Sequence, residues 1–275
     1  MKTALVTGVS RKSGIGFEIC KTLLETGYKV IALRNSDNEC ESELRAIYGD
    51  YANFLKCDFT NREQLNNTIT LLKANRFDLI VNNAGKFADG EDYANYDMAI
   101  WDQVFDVNVR TSMALSTGLF DNLNEGAVII NVASTDGMTG SLSSMSYAAS
   151  KAALISITKS LAINFGYDNK KIRVVGVAPS WVVTDESMLT EAAKKYAPLM
   201  TPLGRMASVK EMTDLIVFLA SDNATYITGT TIVFDGGYTL IDYTLKKEAE
   251  YVRKKAEQAA KRKEQRSIKN KIESK

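Results

Sequence analysis

The side chains able to do chemistry gather around residues 131–151. Tyr147 and Lys151 stand four apart in Tyr147-Ala148-Ala149-Ser150-Lys151, so on a helix they share a face. A phenol near pKa 10 is a weak acid and a weak base at neutral pH, and a neighbouring ammonium is expected to favour the phenolate and lower that value. Ser134 closes an apolar run thirteen residues earlier. Its hydroxyl can hydrogen-bond a substrate oxygen and hold it against the Tyr147 hydroxyl. The chain contains no histidine, which removes His-based triads, His zinc ligands and imidazole relays. Cys20, Cys40 and Cys57 make neither a CxxC pair nor an even-numbered disulfide framework, so they read as packing thiols of a reducing compartment. No metal site is expected.

A second constellation lies at the N-terminus. The segment Gly8-Val9-Ser10-Arg11-Lys12-Ser13-Gly14-Ile15-Gly16 follows a strand candidate at 4–7 and precedes a helix candidate at 17–25. Glycines at such a turn let the backbone approach a pyrophosphate, whose charge sits at the positive end of the helix. The end of the second strand then selects the dinucleotide. An acidic residue there would bind ribose hydroxyls and repel a 2′-phosphate. Here Leu33 is followed by Arg34, with Arg11 or Lys12 as a second cation from the loop, whereas Asp37 lies three residues beyond the strand end. This arrangement favours NADP(H) over NAD(H).

The elements that must position these groups follow from hydrophobic patterning. Strand candidates at 4–7, 29–33, 54–57, 79–81, 127–132, 173–177 and 231–234 are mostly continuous apolar runs, as expected for strands covered on both faces. Amphipathic segments at 17–25, 64–74, 101–120, 147–165 and 209–221 alternate with them. The alternation predicts a single Rossmann-type α/β domain with a doubly wound parallel sheet. The chain has 275 residues, 45% of them hydrophobic, and a formal net charge of +1, which argues against global disorder and against nucleic-acid binding by the whole chain. Residues 243–275 carry 12 Lys/Arg against 5 Asp/Glu, so a mildly acidic catalytic body at 1–242 is expected to end in a basic, partly helical extension. No apolar run approaches the ~18 residues that span a bilayer, and Thr7 and Gly8 interrupt the first apolar stretch before a signal sequence could form. A cytoplasmic protein without a membrane partner is expected.

Read together, these motifs resemble the short-chain dehydrogenase/reductase family. The glycine turn is similar to its TGxxxGxG segment, with five residues instead of three between Gly8 and Gly14. Asp58 resembles the family's adenine-contacting Asp, and Asn82-Asn83-Ala84-Gly85 resembles its sheet-stabilising, ribose-facing NNAG segment. Asn108 matches the Asn that, by resemblance, holds a water in a proton relay to Lys151, completing a tetrad with Ser134 and Tyr147. Ala178-Pro179-Ser180-Trp181-Val182-Val183-Thr184 looks like the PGxxxT nicotinamide segment, with Ser180 in place of glycine. Pro202-Leu203-Gly204-Arg205 and the stretches 227–229 and 235–237 match later signposts. The resemblance spans about residues 3–241.

It implies reversible hydride transfer between a nicotinamide cofactor and a ketone or secondary alcohol. It also implies a homotetramer or dimer pairing through helices 101–120 and 147–165, whose surplus apolar residues include Met113, Leu115, Leu154, Ile155 and Ile157. The substrate would be covered by roughly residues 181–204, including Met188, Leu189, Tyr196 and Met200. One alternative is a 3-oxoacyl-acyl-carrier-protein reductase, although Glu125 stands where such relatives often carry a basic residue; Lys170 and Lys171 offer another basic patch. Enoyl reductases usually space Tyr and Lys by seven, which the spacing of four opposes. A catalytically silent nucleotide-binding scaffold, or a protein whose basic tail binds nucleic acid or membrane, are readings of other classes.

Overall fold

Val, Ile, Leu and Ala on both sides of a strand require cover on both faces of the sheet, and the computed structural model supplies it with two helical layers. The structure describes residues 1–36, 39–88, 91–141, 144–185, 189, 191–240 and 255. Strands β1 (Thr3–Thr7), β2 (Lys29–Arg34), β3 (Ala52–Lys56), β4 (Phe77–Asn82), β5 (Leu123–Val132) and β6 (Arg173–Pro179) join a final strand, β9 (Thr231–Phe234). Two short strands, β7 (Val182–Val183) and β8 (Ala207–Ser208), pair with each other outside this sheet. The seven-stranded sheet has the order β3-β2-β1-β4-β5-β6-β9, with every neighbouring pair parallel. All seven strand candidates of the sequence are in it.

The chain leaves β1 toward β2 and β3 in one direction and returns beside β1 with β4, so a crevice opens at the C-terminal ends of β1 and β4. Successive strand residues feed opposite cores. Val6, Val81, Ile130 and Val177 pack with Ile19 and Leu23 of α1 (Ile15–Glu25) and with Ile216 of α9 (Val209–Ala220). Leu5, Ile80, Ile129 and Val174 face the other layer, with Leu65 of α3 (Arg62–Leu72) and Leu161 of α7 (Met145–Tyr167).

Two departures from the sequence pattern bear on function. A helix α2 (Glu39–Tyr48) follows β2; it buries only Cys40 and Leu44, too faint a stripe to stand out among its charges. The expected helix at 101–120 is instead α4 (Met98–Phe105), a π-helical turn at Asp106–Arg110, and α5 (Thr111–Gly118). α6 (Asp136–Thr139) and α8 (Glu191–Tyr196) complete the helices. Asp37, Met188 and the basic extension at 243–275, save Lys255, lie outside the described residues, as does the side chain of Tyr196.

Candidate active site

A cleft of about 920 Å³ sits at the crevice, near the upper end of the roughly 300–1,000 Å³ of small-molecule and cofactor pockets. Its wall includes Gly8, Ser10, Arg11, Gly14, Ile15, Gly16, Asp58, Ala84 and Gly85 from the residues expected to hold a dinucleotide. Gly8 has φ +79°, and a Cβ there would lie 2.7 Å from the Ala84 Cα. At Gly16 a Cβ would meet the Gly8 carbonyl oxygen at 2.5 Å. Only glycine permits this close stacking of turn, helix and β4 end. The Thr7 hydroxyl accepts from the Asn83 and Ala84 amides at 3.0 and 2.9 Å, and Asn83 Nδ2 donates to the Thr7 carbonyl at 2.9 Å. Gly14 caps α1 without a side chain, leaving the first N–H groups of the helix directed at the cleft. A narrow backbone cradle at a helix N-terminus fits a pyrophosphate.

The cations separate into two kinds. Lys12 bridges Glu39 and Glu43 of α2 at 3.0 and 2.8 Å, and these carboxylates push its pKa up. Arg34 Nη2 lies 2.6 Å from Glu41 and its Nη1 donates to the Ser36 carbonyl. Neither residue forms part of the cleft wall. α2 thus presents a carboxylate to each of the two cations expected to hold a 2′-phosphate. Arg11, by contrast, is exposed on the cleft wall and pairs with no carboxylate among the described residues. Asn35 and Ser36 stand beside it, with Ser10 Oγ donating to Asn35 Oδ1 at 2.8 Å. Asp58 accepts from the Thr60 amide and hydroxyl at the end of β3.

Asn82 stands within the sheet. It is 1% exposed, and its Nδ2 donates to Asn131 Oδ1 at 2.8 Å and Ser116 Oγ at 3.3 Å. Asn131 continues the chain to Thr158 Oγ1 at 2.9 Å. Asn82 thus stitches β4 to β5 and the helical layer, while Asn83, one residue on, reaches the cleft.

Beyond the cleft lies the tetrad. Ser134, at the end of β5, stands beside the Tyr147 phenol, and its hydroxyl accepts from the Asp136 amide at 3.2 Å. Burial pushes the phenol pKa up to about 12, Asp136 adds to the rise, and the Ser134 hydroxyl only partly opposes it. The expected lowering by Lys151 is not found. Lys151 Nζ lies 5.4 Å from the Tyr147 ring centroid and donates to the Val132 carbonyl at 2.6 Å. Buried at 2% exposure, its own pKa is pushed down to about 8 by desolvation. A phenol held this high keeps its proton until a stronger base, such as a developing alkoxide, arises beside it.

Asn108 sits in the π-helical turn. Its Oδ1 accepts from the Lys86 amide at 2.7 Å, and its Nδ2 donates to the Lys86 carbonyl at 3.1 Å and to Ser150 Oγ at 2.8 Å. Its own carbonyl accepts from Ser112 Oγ at 3.2 Å. Pro179 ends β6, its carbonyl accepting from the Thr135 amide at 3.0 Å. Val182 and Thr184 follow on and beside β7, and like Pro179 they lie off the cleft wall. The Ser180 hydroxyl, in place of a glycine, donates to the Asp235 carbonyl at 3.3 Å.

Residues 8–239 match the family model described as enoyl-(acyl carrier protein) reductase. Among curated relatives, acetoacetyl-CoA reductase of Acinetobacter sp. (strain RA3849) is 32% identical over 245 residues, covering 86% of this chain and 97% of its own. The 3-oxoacyl-[acyl-carrier-protein] reductase of Rickettsia prowazekii is 32% identical over 243 residues, with 87% and 98% covered. A solved short chain dehydrogenase family protein of Francisella tularensis superposes with a TM-score of 0.76 at 30% identity, covering 88% of this chain and all of that one. The chain is a short-chain dehydrogenase/reductase. As a member of that family it is an oxidoreductase acting on carbonyl and alcohol groups with a nicotinamide cofactor.

Family motifs do not point to three further features of this dehydrogenase/reductase. Phe87 packs edge-on against Tyr147, centroids 4.9 Å apart at 70°. Glu91 reaches the start of α7, and Phe59, Gln103 and Val107 line the cleft. Of the apolar residues expected at a subunit contact, Leu115 and Leu154 are buried in this chain's own core, at 0% and 1% exposure.

Proposed function

We propose that the protein reduces a ketone, or oxidises the corresponding secondary alcohol, with NADP(H) in preference to NAD(H). Hydride to or from the substrate carbon is the chemistry that the bound nicotinamide supplies. The glycine turn, the α1 N-terminus and Asn83 would hold the pyrophosphate side, and Arg11 would face the adenosine ribose. The Tyr147 hydroxyl hands its proton to the substrate oxygen, and Ser134 fixes that oxygen by hydrogen bonding. Lys151, buried beneath the site, restrains the helix face and is poised to exchange protons near neutral pH. Asn108 keeps segment and helix in register. The observation that supports the reading is the grouping of Ser134 beside the Tyr147 phenol with Lys151 buried next to that ring, adjoining a glycine-lined cleft through Gly85 and Phe87.

The substrate class best supported is a 3-oxoacyl thioester, because most of the similar relatives, among them the acetoacetyl-CoA and 3-oxoacyl-[acyl-carrier-protein] reductases at 32% identity, are named for such substrates, although one at the same identity is named as a 2-dehydro-3-deoxy-D-gluconate 5-dehydrogenase. The family model carries an enoyl-reductase description, but the Tyr147–Lys151 spacing favours carbonyl chemistry. Docking of an acidic carrier at Lys170 draws little support, since Lys170 Nζ donates to the Phe120 carbonyl at 2.9 Å and lies over the Phe120 ring. A cytoplasmic homo-oligomer is part of this reading. Exposed Met113 on α5 and Ile163 on α7, at 40% and 61%, suit the faces that would pair.

The test is nicotinamide absorbance with acetoacetyl-CoA, a 3-oxoacyl carrier protein and simple ketones, using NADPH and NADH. Turnover of a ketone is expected, and Tyr147→Phe should reduce it by at least ~10²-fold with cofactor binding retained. Folded, NADPH-binding protein that turns over none of them would refute the proposal, as would a near-normal Tyr147→Phe enzyme.

A further inference from the structure

The catalytic helix begins without a cap of its own. α7 has 23 residues, and Ser144 at its N-cap makes no side-chain hydrogen bond to the free N–H groups of the first turn. A carboxylate from 55 residues earlier takes that place. Glu91 Oε2 accepts from the Ser146 N–H at 3.0 Å, and Oε1 accepts from the Ser146 hydroxyl and, at 2.9 Å, from the Tyr96 hydroxyl. A negative charge here complements the positive end of the helix. Ser146 immediately precedes Tyr147, so the carboxylate fixes the backbone turn from which the phenol projects.

Glu91 does not act alone. Of the described residues between 86 and 97, Phe87 and Glu91 touch α7 at the phenol and just before it. Phe87 lies edge-on against the Tyr147 ring. Lys86 is clasped at both its amide and its carbonyl by the Asn108 side chain, whose Nδ2 also donates to Ser150 Oγ, and Ser150 Oγ donates to the Tyr147 carbonyl at 2.7 Å. Gly85, Lys86 and Phe87 also line the cleft. At the far end, Tyr96 stacks edge-on with Trp101, which stacks on Phe105 of α4. These residues are therefore braced at both ends and gripped in the middle by one carboxylate.

We propose that Glu91 is a positioning residue for the reaction: by capping α7 it holds the Tyr147 hydroxyl in line with Ser134. This rests on Tyr147 being the proton donor. Its effect is on turnover and not on cofactor affinity, because no atom of Glu91 lines the cleft.

The experiment compares Glu91→Ala, Glu91→Gln and Tyr147→Phe, singly and in the Glu91→Ala/Tyr147→Phe pair, by steady-state kinetics and by NADPH fluorescence titration. A misplaced phenol should lower kcat about tenfold to a hundredfold in Glu91→Ala, while the NADPH Kd stays within about twofold. Glu91→Gln should recover turnover to within about threefold of the parent: its amide oxygen can accept from Ser146 N–H, and its amide nitrogen can donate to either hydroxyl. In the pair, Glu91→Ala should take away less than about twofold beyond Tyr147→Phe. Normal kcat in folded Glu91→Ala, no recovery in Glu91→Gln, or full multiplication of the two losses in the pair would each overturn the proposal. If Glu91→Ala fails to fold, Ser146→Ala carries the test, with a fall in kcat of about threefold expected and an unchanged kcat overturning it. Near-normal turnover in Tyr147→Phe alone would instead remove the proton-donor assignment.

Discussion

Replacing Lys151 by Met should destroy turnover and yet stabilise the fold. The ammonium is 2% exposed, and desolvation drops its pKa from the usual 10.5 to about 8. That gap corresponds to roughly 3 kcal/mol of folding free energy lost wherever the group must be protonated inside the protein. Met has nearly the same reach without the charge, but it surrenders the hydrogen bond to the Val132 carbonyl, worth about 1 kcal/mol. The net gain at pH 7 is roughly 2 kcal/mol, or about 5 °C in Tm for a chain of this size. The sign fixes the pH dependence. Between about pH 8 and 10.5 the unfolded chain binds the Lys151 proton and the folded chain does not, so the parent gains stability as pH rises through that window. The advantage of Lys151→Met should therefore be full below pH 8 and nearly gone by pH 10. Calorimetric melts at pH 7 and pH 10, with turnover at pH 7, measure it. A variant less stable than the parent by the same amount at both pH values would refute the reasoning. So would turnover reduced by less than ~10²-fold, which would leave the ammonium outside the chemistry.

Arg11→Ala should raise the NADPH Kd about tenfold and leave NADH within about twofold, because only the 2′-phosphate offers the guanidinium a charge-assisted bond; equal effects in a titration of both cofactors would show Arg11 to be a bystander. Arg34→Ala should affect both cofactors alike, since Glu41 holds its guanidinium. Gly16→Ala forces a methyl to within 2.5 Å of the Gly8 carbonyl and should cost about 1–3 kcal/mol in a denaturant melt and abolish cofactor binding; an unchanged Kd would mean that the turn is loose. Truncation after Asp242 should leave kcat/KM within about twofold and salt sensitivity unchanged, since the matched body ends at residue 239; a large loss with the oligomer intact would place the extension at the active site. Light scattering at micromolar concentration should give a multiple of 30.3 kDa, and a monomeric mass would count against pairing through α5 and α7.

The sheet is legible because strands buried on both faces announce themselves as unbroken apolar runs, and the proposed tetrad stands out because its side chains are spaced along such elements. What escaped had a common physical origin. α2 buries only Cys40 and Leu44, so its pattern is mostly charge, and with it the three glutamates that engage Lys12 and Arg34 went unseen. Nothing in the sequence marks that these two cations meet carboxylates. The Asn82-Asn83 pair was recognised, but which member faces the cleft depends on where β4 ends, and strand ends are poorly marked by sequence. A four-residue spacing put Tyr147 and Lys151 on one face, but it did not say that Lys151 Nζ would find the Val132 carbonyl. Glu91 left no trace, because its contact with α7 depends on chain folding over 55 residues.

The π-helical turn at Asp106–Arg110 holds an extra residue. An α-helix advances about 100° per residue, and a π turn winds more residues into each turn, so it absorbs one extra residue as a local bulge and hands the following helix on at its former bearing. α5 emerges with Ser112, Leu115 and Ser116 turned inward, and Ser116 Oγ meets Asn82 in the sheet. Deleting a single residue between 106 and 110 would therefore relax the turn to ordinary α-helix and leave Leu115 and Ser116 facing inward, whereas the bulge that carries Asn108 toward Lys86 and Ser150 would be lost. The extra residue thus places one side chain, Asn108, without disturbing the packing on either side of it.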